Sequence, residues 1–198
     1  RTQQLLSSTS APIFEAGFSG AGGLAFADIL LPVNGGASRA WRMVEVKSSG
    51  EVKDYHRDDA AIQHYVATQA GLPLQGIAVA HVDTSWVYQG GDDYTGLLSE
   101  EDVTGEVSAR RAEVGNWIVA AHAVVAGASP PAQVTGPHCT TPFECGFCKF
   151  CESQEPPVQF PVTWLPRVQA ENLKQFLAQP HVRSLDQVPD ELLNERQL

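Results

Sequence analysis

The sequence has no cysteine outside one short stretch, no apolar run long enough to cross a membrane, and few basic residues for its length. Its 13 Lys and Arg stand against 23 Asp and Glu, so the net charge is −10. The lack of a long apolar run argues against a membrane protein. The shortage of positive charge argues against a broad basic surface for nucleic acid, although a local basic groove is compatible with it.

No secretory signal is visible at the start of the 198-residue chain, and we expect a cytoplasmic protein. The chain begins with Arg1 rather than Met, and the opening RTQQLL is typical of the middle of a helix. We therefore expect a domain excised from a longer protein. The apolar fraction of 43% and the charged fraction of 18% are typical of a globular domain with a real core.

Apolar alternation and turn residues predict a mixture of strands and helices over the first 126 residues. We expect strands at residues 12–18, 24–32, 41–47 and 75–82, a helix at 51–70, a further strand or a continuation at 85–89, and mainly helical structure at 100–126. The first three strands lie close in sequence, which favours a meander. An apolar stripe predicts the buried face of the last segment: Val103, Val107, Val114, Trp117, Ile118, Ala121 and Val125.

The predicted strand at 41–47 carries charged residues among apolar ones. Side chains of a strand alternate between its two faces, so Glu45 and Lys47 share a face. Burying an acid and a lysine on an apolar strand is unfavourable, and Asp28 adds a second carboxylate on the preceding apolar strand. Two carboxylates and a lysine on neighbouring strands are typical of a divalent-metal hydrolysis site, with the carbonyl of Val46 as a further ligand.

The helix after this strand adds a candidate group. Asp59 and Gln63 are four residues apart and share a helix face, and His56 lies one turn earlier. Gln63 has apolar neighbours and is placed to bind a metal-bound water or a substrate phosphate. Two simpler interpretations stay open. The glutamate and lysine of the strand could be an exposed pair at its end, and Glu15 either adds a carboxylate to the site or lies on a solvated strand face.

Four segments in this order, FEAGF, ADIL, WRMVEVKSS and KDYHRDDAAIQHYV, resemble the RecB-like branch of the PD-(D/E)XK nucleases, and within it the relatives of the CRISPR-adaptation exonucleases. The resemblance implies an α/β fold with a restriction-endonuclease-like core, in which helices flank a mixed central sheet. It also implies Mg²⁺- or Mn²⁺-dependent exonuclease action on DNA, as single strands or at duplex ends. In that family an aspartate and a glutamate bind the metal, a lysine activates water and a glutamine supports the site. These roles carry over to Asp28, Glu45, Lys47 and Gln63.

The chain departs from this branch on the helix, where the tyrosine usual four residues after the glutamine is replaced by Ala67. The branch often also has a metal-binding histidine on a helix before the first strand, and that helix is cut off or absent. These departures and the negative charge favour an alternative function. In that alternative the chain is a noncatalytic nucleic-acid-binding or docking module that keeps the fold.

Every cysteine of the chain lies within thirteen residues, at Cys139, Cys145, Cys148 and Cys151. The spacing C-x5-C-x2-C-x2-C suits one metal centre better than disulfides, because such close pairs would be strained. The spacing alone is compatible with zinc and with a [4Fe–4S] cluster. Relatives in the branch named above often hold a [4Fe–4S] cluster at the end of the nuclease domain. The resemblance therefore favours iron–sulfur in a structural role, with zinc as the alternative.

These features predict three parts of the chain. Residues 1–135 form the expected nuclease core, residues 136–165 a cysteine-rich metal-binding segment, and residues 166–198 a tail with a short helix at 166–178. The tail resembles the linker of bacterial proteins in which a second, exonuclease-like domain follows. The resemblance thus implies that the native protein is longer.

Overall fold

The computed structural model describes residues 1–33, 40–179 and 181–197. The chain divides into two compact units, Arg1–Ala128 and Ser129–Leu198, and each has its own apolar cluster. In the described ranges no helix is long and apolar enough to cross a membrane.

The N-terminal unit is built on a five-stranded mixed sheet. Its strands lie side by side in chain order: β1 (Ile13–Gly20), β2 (Gly23–Val33), β3 (Ala40–Lys47), β4 (Leu74–Val82) and β5 (Leu98–Asp102). The first three strands are antiparallel neighbours, β4 runs parallel to β3, and β5 is antiparallel to β4. The meander expected for the first three strands is therefore confirmed.

Helices flank this sheet, which confirms the predicted α/β class. They are α1 (Thr2–Ser8), α2 (Asp54–Gln69), α3 (Thr104–Ala109) and α4 (Arg111–Ala126). Parallel neighbours need a crossover connection, and α2 provides it between β3 and β4. Helix α2 packs against β1, β2 and β4 and against both α3 and α4. It is thus the element that covers the centre of the sheet.

The turn between β1 and β2 explains how closely α2 lies on the sheet. Ala21 and Gly22 both have positive φ angles, 49° and 81°, as a tight hairpin turn with primed geometry requires. A Cβ atom at the neighbouring Gly20 would lie 2.6 Å from the backbone oxygen of Val66 in α2. Only glycine therefore fits at this position without displacing backbone, and the C-terminal half of α2 rests directly on the end of β1.

The core of the unit lies between the sheet and α2. Leu30, Met43 and Ile77 are level with one another on three adjacent strands, and all three are fully buried. Burying a large apolar side chain contributes about 2 kcal/mol. Ala60 and Ala67 are fully buried on α2, and their small side chains let the helix backbone approach this apolar surface.

The strand expected at 85–89 is not formed, and these residues belong to the loop between β4 and β5. Trp86, Tyr88 and Tyr94 contact one another in this loop, and Trp86 Nε1 donates a hydrogen bond to the carbonyl of Thr95 at 2.9 Å. Their apolar character is therefore used in local ring contacts instead of strand pairing.

The segment predicted as helical at 100–126 begins with a strand, because its first residues pair with β4 as part of β5. The apolar stripe is right for the first part of the segment, where Val107 and Val114 are buried and Trp117 packs partly against the core. It is wrong at the end of α4, where Val125 is 84% exposed. Apolar periodicity therefore predicts a helix face here but not how far along the helix the core extends.

The C-terminal unit consists of short helices, loops and a small apolar cluster. Helices α5 (Cys148–Gln154) and α6 (Glu171–Leu177) are its α-helices in the described ranges. Leu173 and Val182 are buried in the apolar cluster, which α6 helps to form. The helix predicted at 166–178 is thus present but shorter.

Candidate active site

The end of β3 and the middle of β2 bring two predicted carboxylates together. Ile29 pairs with Val44 across the two antiparallel strands, so one step further along the register Asp28 comes level with Glu45. Asp28 Oδ2 accepts a hydrogen bond from the backbone N–H of Val46 at 2.7 Å. The strand register therefore holds the aspartate against the strand that carries the glutamate.

Asp28 lies where the alternation of buried side chains changes. On β2 the buried side chains are at odd-numbered positions up to Ala27, and the next buried side chain is at an even-numbered position, Leu30. On β1 the same change occurs around Glu15, which has a φ angle of 53° and occupies the step opposite Asp28. A residue with positive φ disturbs regular alternation. The irregularity leaves Asp28 half-buried and Glu15 exposed, as the solvated-face interpretation of Glu15 expects.

Lys47 is held between two carboxylates from different elements. Its Nζ donates a hydrogen bond to Glu45 Oε1 at 2.8 Å and another to Asp59 Oδ2. Burial alone would lower the pKa of Lys47, but the hydrogen bonds to Asp59 and Glu45 outweigh it and raise the pKa above its ordinary value. The lysine is therefore protonated at neutral pH, and in this arrangement it acts as a charge and a hydrogen-bond donor.

Glu45 is a buried carboxylate with one unpaired oxygen. It is 4% exposed, and within the described ranges its Oε2 has no hydrogen-bond partner. Burial raises the pKa of Glu45 to about 7, against the opposing hydrogen bond from Lys47 and with further repulsion from Asp28 and Asp59. An unpaired buried oxygen is unfavourable unless something else binds it.

Gln63 has the same property. It is 6% exposed on α2, and in the part of the chain that the structure describes its Oε1 has no partner. Its Nε2 lies 3.5 Å from Asp59 Oδ1, which is long for a hydrogen bond. The side-chain amide thus directs its nitrogen towards Asp59 and leaves its oxygen bare.

His56 has a structural explanation. Its Nδ1 accepts a hydrogen bond from the backbone N–H of Lys53 at 3.1 Å, which caps the first turn of α2. Burial and then the charge of Lys47 lower the pKa of His56. The ring is therefore neutral at neutral pH, and its Nδ1 is already used to cap the first turn of α2.

The donor set fits a divalent cation that prefers oxygen. Lys47 pairs with Glu45 and Asp59, and Asp28 lies beside Glu45, so these four side chains carry an excess of two negative charges when all three acids are ionised. Mg²⁺ is commonly bound through one or two carboxylates and keeps several waters. Across the described residues no group of three or more His, Cys, Asp or Glu is arranged to hold a metal ion. The oxygens of Glu45 and Gln63 that have no partner among the described residues are the acceptors that such an ion and its water would use.

Asp59 lies in the candidate site through its contact with Lys47, although no role was predicted for it. Its spacing from Gln63 places both on one helix face, and that was the only signal. The ion pair with Lys47 joins residues twelve positions apart on a strand and a helix. Sequence spacing along one element does not reveal such a pairing between elements.

The cysteines of the C-terminal unit are not disulfide-bonded. Cys139 is buried and its thiol interacts with that of Cys148, while Cys145 is exposed and Cys151 half-buried. Loss of solvation and the Cys139 thiol raise the pKa of Cys148 to about 11. The described residues do not bring three or more of these thiols into one group. The metal centre therefore stays a prediction.

Comparisons with protein-family models, curated proteins and solved structures found no match for this chain.

Proposed function

We propose that this chain is a Mg²⁺- or Mn²⁺-dependent nuclease of the PD-(D/E)XK type with a restriction-endonuclease-like core. The observation that carries the proposal is a pair of buried oxygens, Glu45 Oε2 and Gln63 Oε1, that have no hydrogen-bond partner among the described residues. Glu45 bonds Lys47, and the amide nitrogen of Gln63 faces Asp59, which also bonds Lys47. Buried oxygens without partners are unfavourable in a purely structural cluster. A hydrolytic site that binds a cation and water makes use of both.

The order of the elements supports the same proposal. A three-stranded antiparallel meander is followed by crossover helix α2 and a parallel fourth strand. Asp28 lies on β2, Glu45 and Lys47 lie on β3, and Gln63 lies on α2. This is the order that the resemblance to the nuclease family implies for Asp28, Glu45, Lys47 and Gln63.

Each residue then has a distinct task. Asp28, Glu45 and the carbonyl of Val46 would hold the cation, which supplies Lewis-acid activation of water and neutralises phosphate charge. Lys47 keeps its proton, so it orients the attacking water and offsets charge at the phosphate. Gln63 presents an acceptor oxygen that fits the hydrogen of a water.

The substrate we propose is DNA, and the resemblance favours exonuclease action on single strands or duplex ends. With a net charge of −10 the chain has no excess of basic residues for avid, nonspecific DNA binding. Bound cations would supply part of the positive charge that the phosphates need. We therefore expect DNA binding that is weak without divalent metal.

The test is cleavage of end-labelled single- and double-stranded DNA with Mg²⁺ or Mn²⁺. We expect Asp28→Asn and Lys47→Met each to lower the cleavage rate by about 10³-fold, because one removes a metal ligand and the other the ammonium at the reacting phosphate. Matched controls are Asp58→Asn, at a carboxylate that pairs with Arg110, and Lys53→Met, at the exposed residue that precedes α2. Both controls should keep the rate of the unaltered protein.

Cleavage that is unchanged in Asp28→Asn and Lys47→Met would rule out the proposal. DNA binding without cleavage under any divalent metal would instead favour the second candidate, a noncatalytic binding or docking module. That candidate is favoured by the engagement of Lys47 with two carboxylates and by Ala67 in place of the family's tyrosine.

For the C-terminal unit we propose a structural metal centre held by Cys139, Cys145, Cys148 and Cys151. The cysteine spacing and the resemblance support a [4Fe–4S] cluster, and zinc is the alternative. Iron content and visible absorbance of anaerobically purified protein distinguish the two. We further propose that the native protein is cytoplasmic.

A further inference from the structure

The side chain of Asp59 connects helix α2 to Lys47 at the end of β3. Its two carboxylate oxygens face different partners: Oδ2 accepts from Lys47 Nζ, and Oδ1 faces Gln63 Nε2 at 3.5 Å. Both partners already have a role in the proposed site, and Asp59 faces both of them. The side chain of Asp59 is 42% exposed, so its oxygens remain partly open to water.

Lys47 and a divalent cation would compete for Glu45. Glu45 Oε1 accepts from Lys47 at 2.8 Å, and Glu45 Oε2 is bare. An ammonium with a single carboxylate partner is bound most tightly to that partner, and the negative charge available to a cation is then reduced. A second carboxylate that shares the ammonium weakens this competition.

We propose that Asp59 is a positioning residue that shares the ammonium of Lys47, so that Glu45 is left available to bind the divalent cation. The inference rests on the proposed function and deepens it, because it adds a residue that controls metal binding without touching the metal. It also gives the amide of Gln63 its orientation, since the Asp59 carboxylate attracts the Nε2 end and leaves Oε1 towards the site.

Asp58 is the natural comparison within the same helix. It is 47% exposed, close to the value for Asp59, and its carboxylate pairs with Arg110 Nη2 at 2.7 Å. Asp58→Asn removes one negative charge and one ion pair from α2. Among the described residues, Asp58 has no hydrogen bond to Lys47 or to Gln63. Any effect of general charge or helix stability should therefore appear in Asp58→Asn as well.

The experiment measures Mn²⁺ affinity by calorimetry in the absence of DNA, which needs no catalytic turnover. We expect Asp59→Asn to weaken Mn²⁺ binding by about 10-fold, as is typical when a residue supporting a metal ligand is lost. Asp58→Asn should stay within about 2-fold of the unaltered protein, and Asp59→Glu, which keeps the carboxylate, should recover most of the affinity.

A double-mutant cycle with Lys47→Met tests whether Asp59 acts through the lysine. We expect Asp59→Asn to have less than about a third of its effect in the Lys47→Met background, because no ammonium is left to compete for Glu45. An equal effect in both backgrounds, or an equal loss in Asp58→Asn, would overturn the inference.

The two proposals fail in different ways. If the unaltered protein binds Mn²⁺ and cleaves DNA while Asp59→Asn binds Mn²⁺ equally well, only the role of Asp59 is wrong. If the unaltered protein binds no more Mn²⁺ than an Asp28→Asn/Glu45→Gln double variant, the proposed function is wrong and the role of Asp59 with it.

Discussion

The two units of this chain assemble their predicted metal ligands to different degrees. In the N-terminal unit, antiparallel pairing holds Asp28 against the strand that carries Glu45, and the neighbouring turn of α2 adds Gln63. In the C-terminal unit, the four cysteines lie on a 3-10 turn, a loop and the short helix α5. Among the described residues, fewer than three of the thiols come together.

This difference follows from the kind of backbone that carries each set of predicted ligands. Strand register and helix packing are stabilised by the core, so a site on them forms before any metal arrives. A site on loops has little apolar burial to hold it, and metal binding then supplies much of the folding free energy. The N-terminal site is therefore expected to exist without its metal, and the cysteine segment to depend on its own.

The largest expected effect is on the C-terminal unit. We expect chelation of the proposed cysteine-bound metal, or Cys145→Ser, to remove the amide-exchange protection of residues 136–155, because metal binding to such sites contributes about 10 kcal/mol or more. The Mn²⁺ affinity of the N-terminal unit should change little, since none of its ligands is a cysteine. Hydrogen exchange followed by mass spectrometry reports both regions in one sample.

Cys145→Ser needs a control, and Ser153→Ala on α5 is suitable because the hydrogen bonds of Ser153 lie within its own helix. Its hydroxyl donates to the carbonyl of Phe150 and accepts from Nε2 of Gln154. Protection of residues 136–155 that survives complete metal removal would contradict the dependence of this unit on a metal. Loss of Mn²⁺ binding on chelation of the cysteine metal would contradict the independence of the two sites.

A smaller effect is expected on thermal stability, and it has opposite signs for one glutamate of each unit, Glu45 and Glu155. Burial raises the pKa of Glu45 from its ordinary 4.5 to about 7, so the charged form destabilises the metal-free fold as pH rises through this range. The penalty is absent below about pH 4.5 and reaches about 3 kcal/mol above pH 7. Without divalent metal, Glu45→Gln should therefore raise the melting temperature at pH 8 and leave it unchanged at pH 4.5.

Glu155 should behave in the opposite way. It accepts hydrogen bonds from the backbone N–H and the hydroxyl of Thr135 and pairs with Arg183, and these contacts lower the pKa of Glu155. Its charge therefore stabilises the fold above the ordinary glutamate pKa, and this contribution is lost as pH falls through the lowered value. Glu155→Gln should lower the melting temperature at pH 8.

Scanning calorimetry at both pH values, in EDTA and then in Mn²⁺, measures the two variants together. Mn²⁺ should raise the melting temperature of the unaltered protein and of Glu155→Gln, but not that of Glu45→Gln. Destabilisation by Glu45→Gln at pH 8 without metal would show that the glutamate has a structural ion pair with Lys47 as its main role.

Much of the fold and of the site could be predicted because it depends on short-range pattern. Strand alternation places Glu45 and Lys47 on one face of β3, and the meander places Asp28 on the adjacent strand. Helical spacing places Gln63 on the same face of α2 as Asp59. These relations follow from the backbone geometry of each element and from the pairing of adjacent strands.

The remaining features depend on contacts between distant residues. The pairing of residues 100–102 with β4 overrides the helix predicted from residue 100, and the change of alternation near Asp28 depends on the positive φ of Glu15. The pairing of Lys47 with Asp59 depends on how α2 is seated against β3. None of these has a periodic signal along the chain.

Anomalous diffraction from a crystal soaked in Mn²⁺ tests the central claim most directly. We predict a manganese peak bound by the carboxylates of Asp28 and Glu45, with Gln63 Oε1 bonded to a metal-bound water and Lys47 Nζ still in contact with Asp59. A fully soaked crystal with no peak between Asp28 and Glu45, or a peak bound without Glu45, would contradict the account.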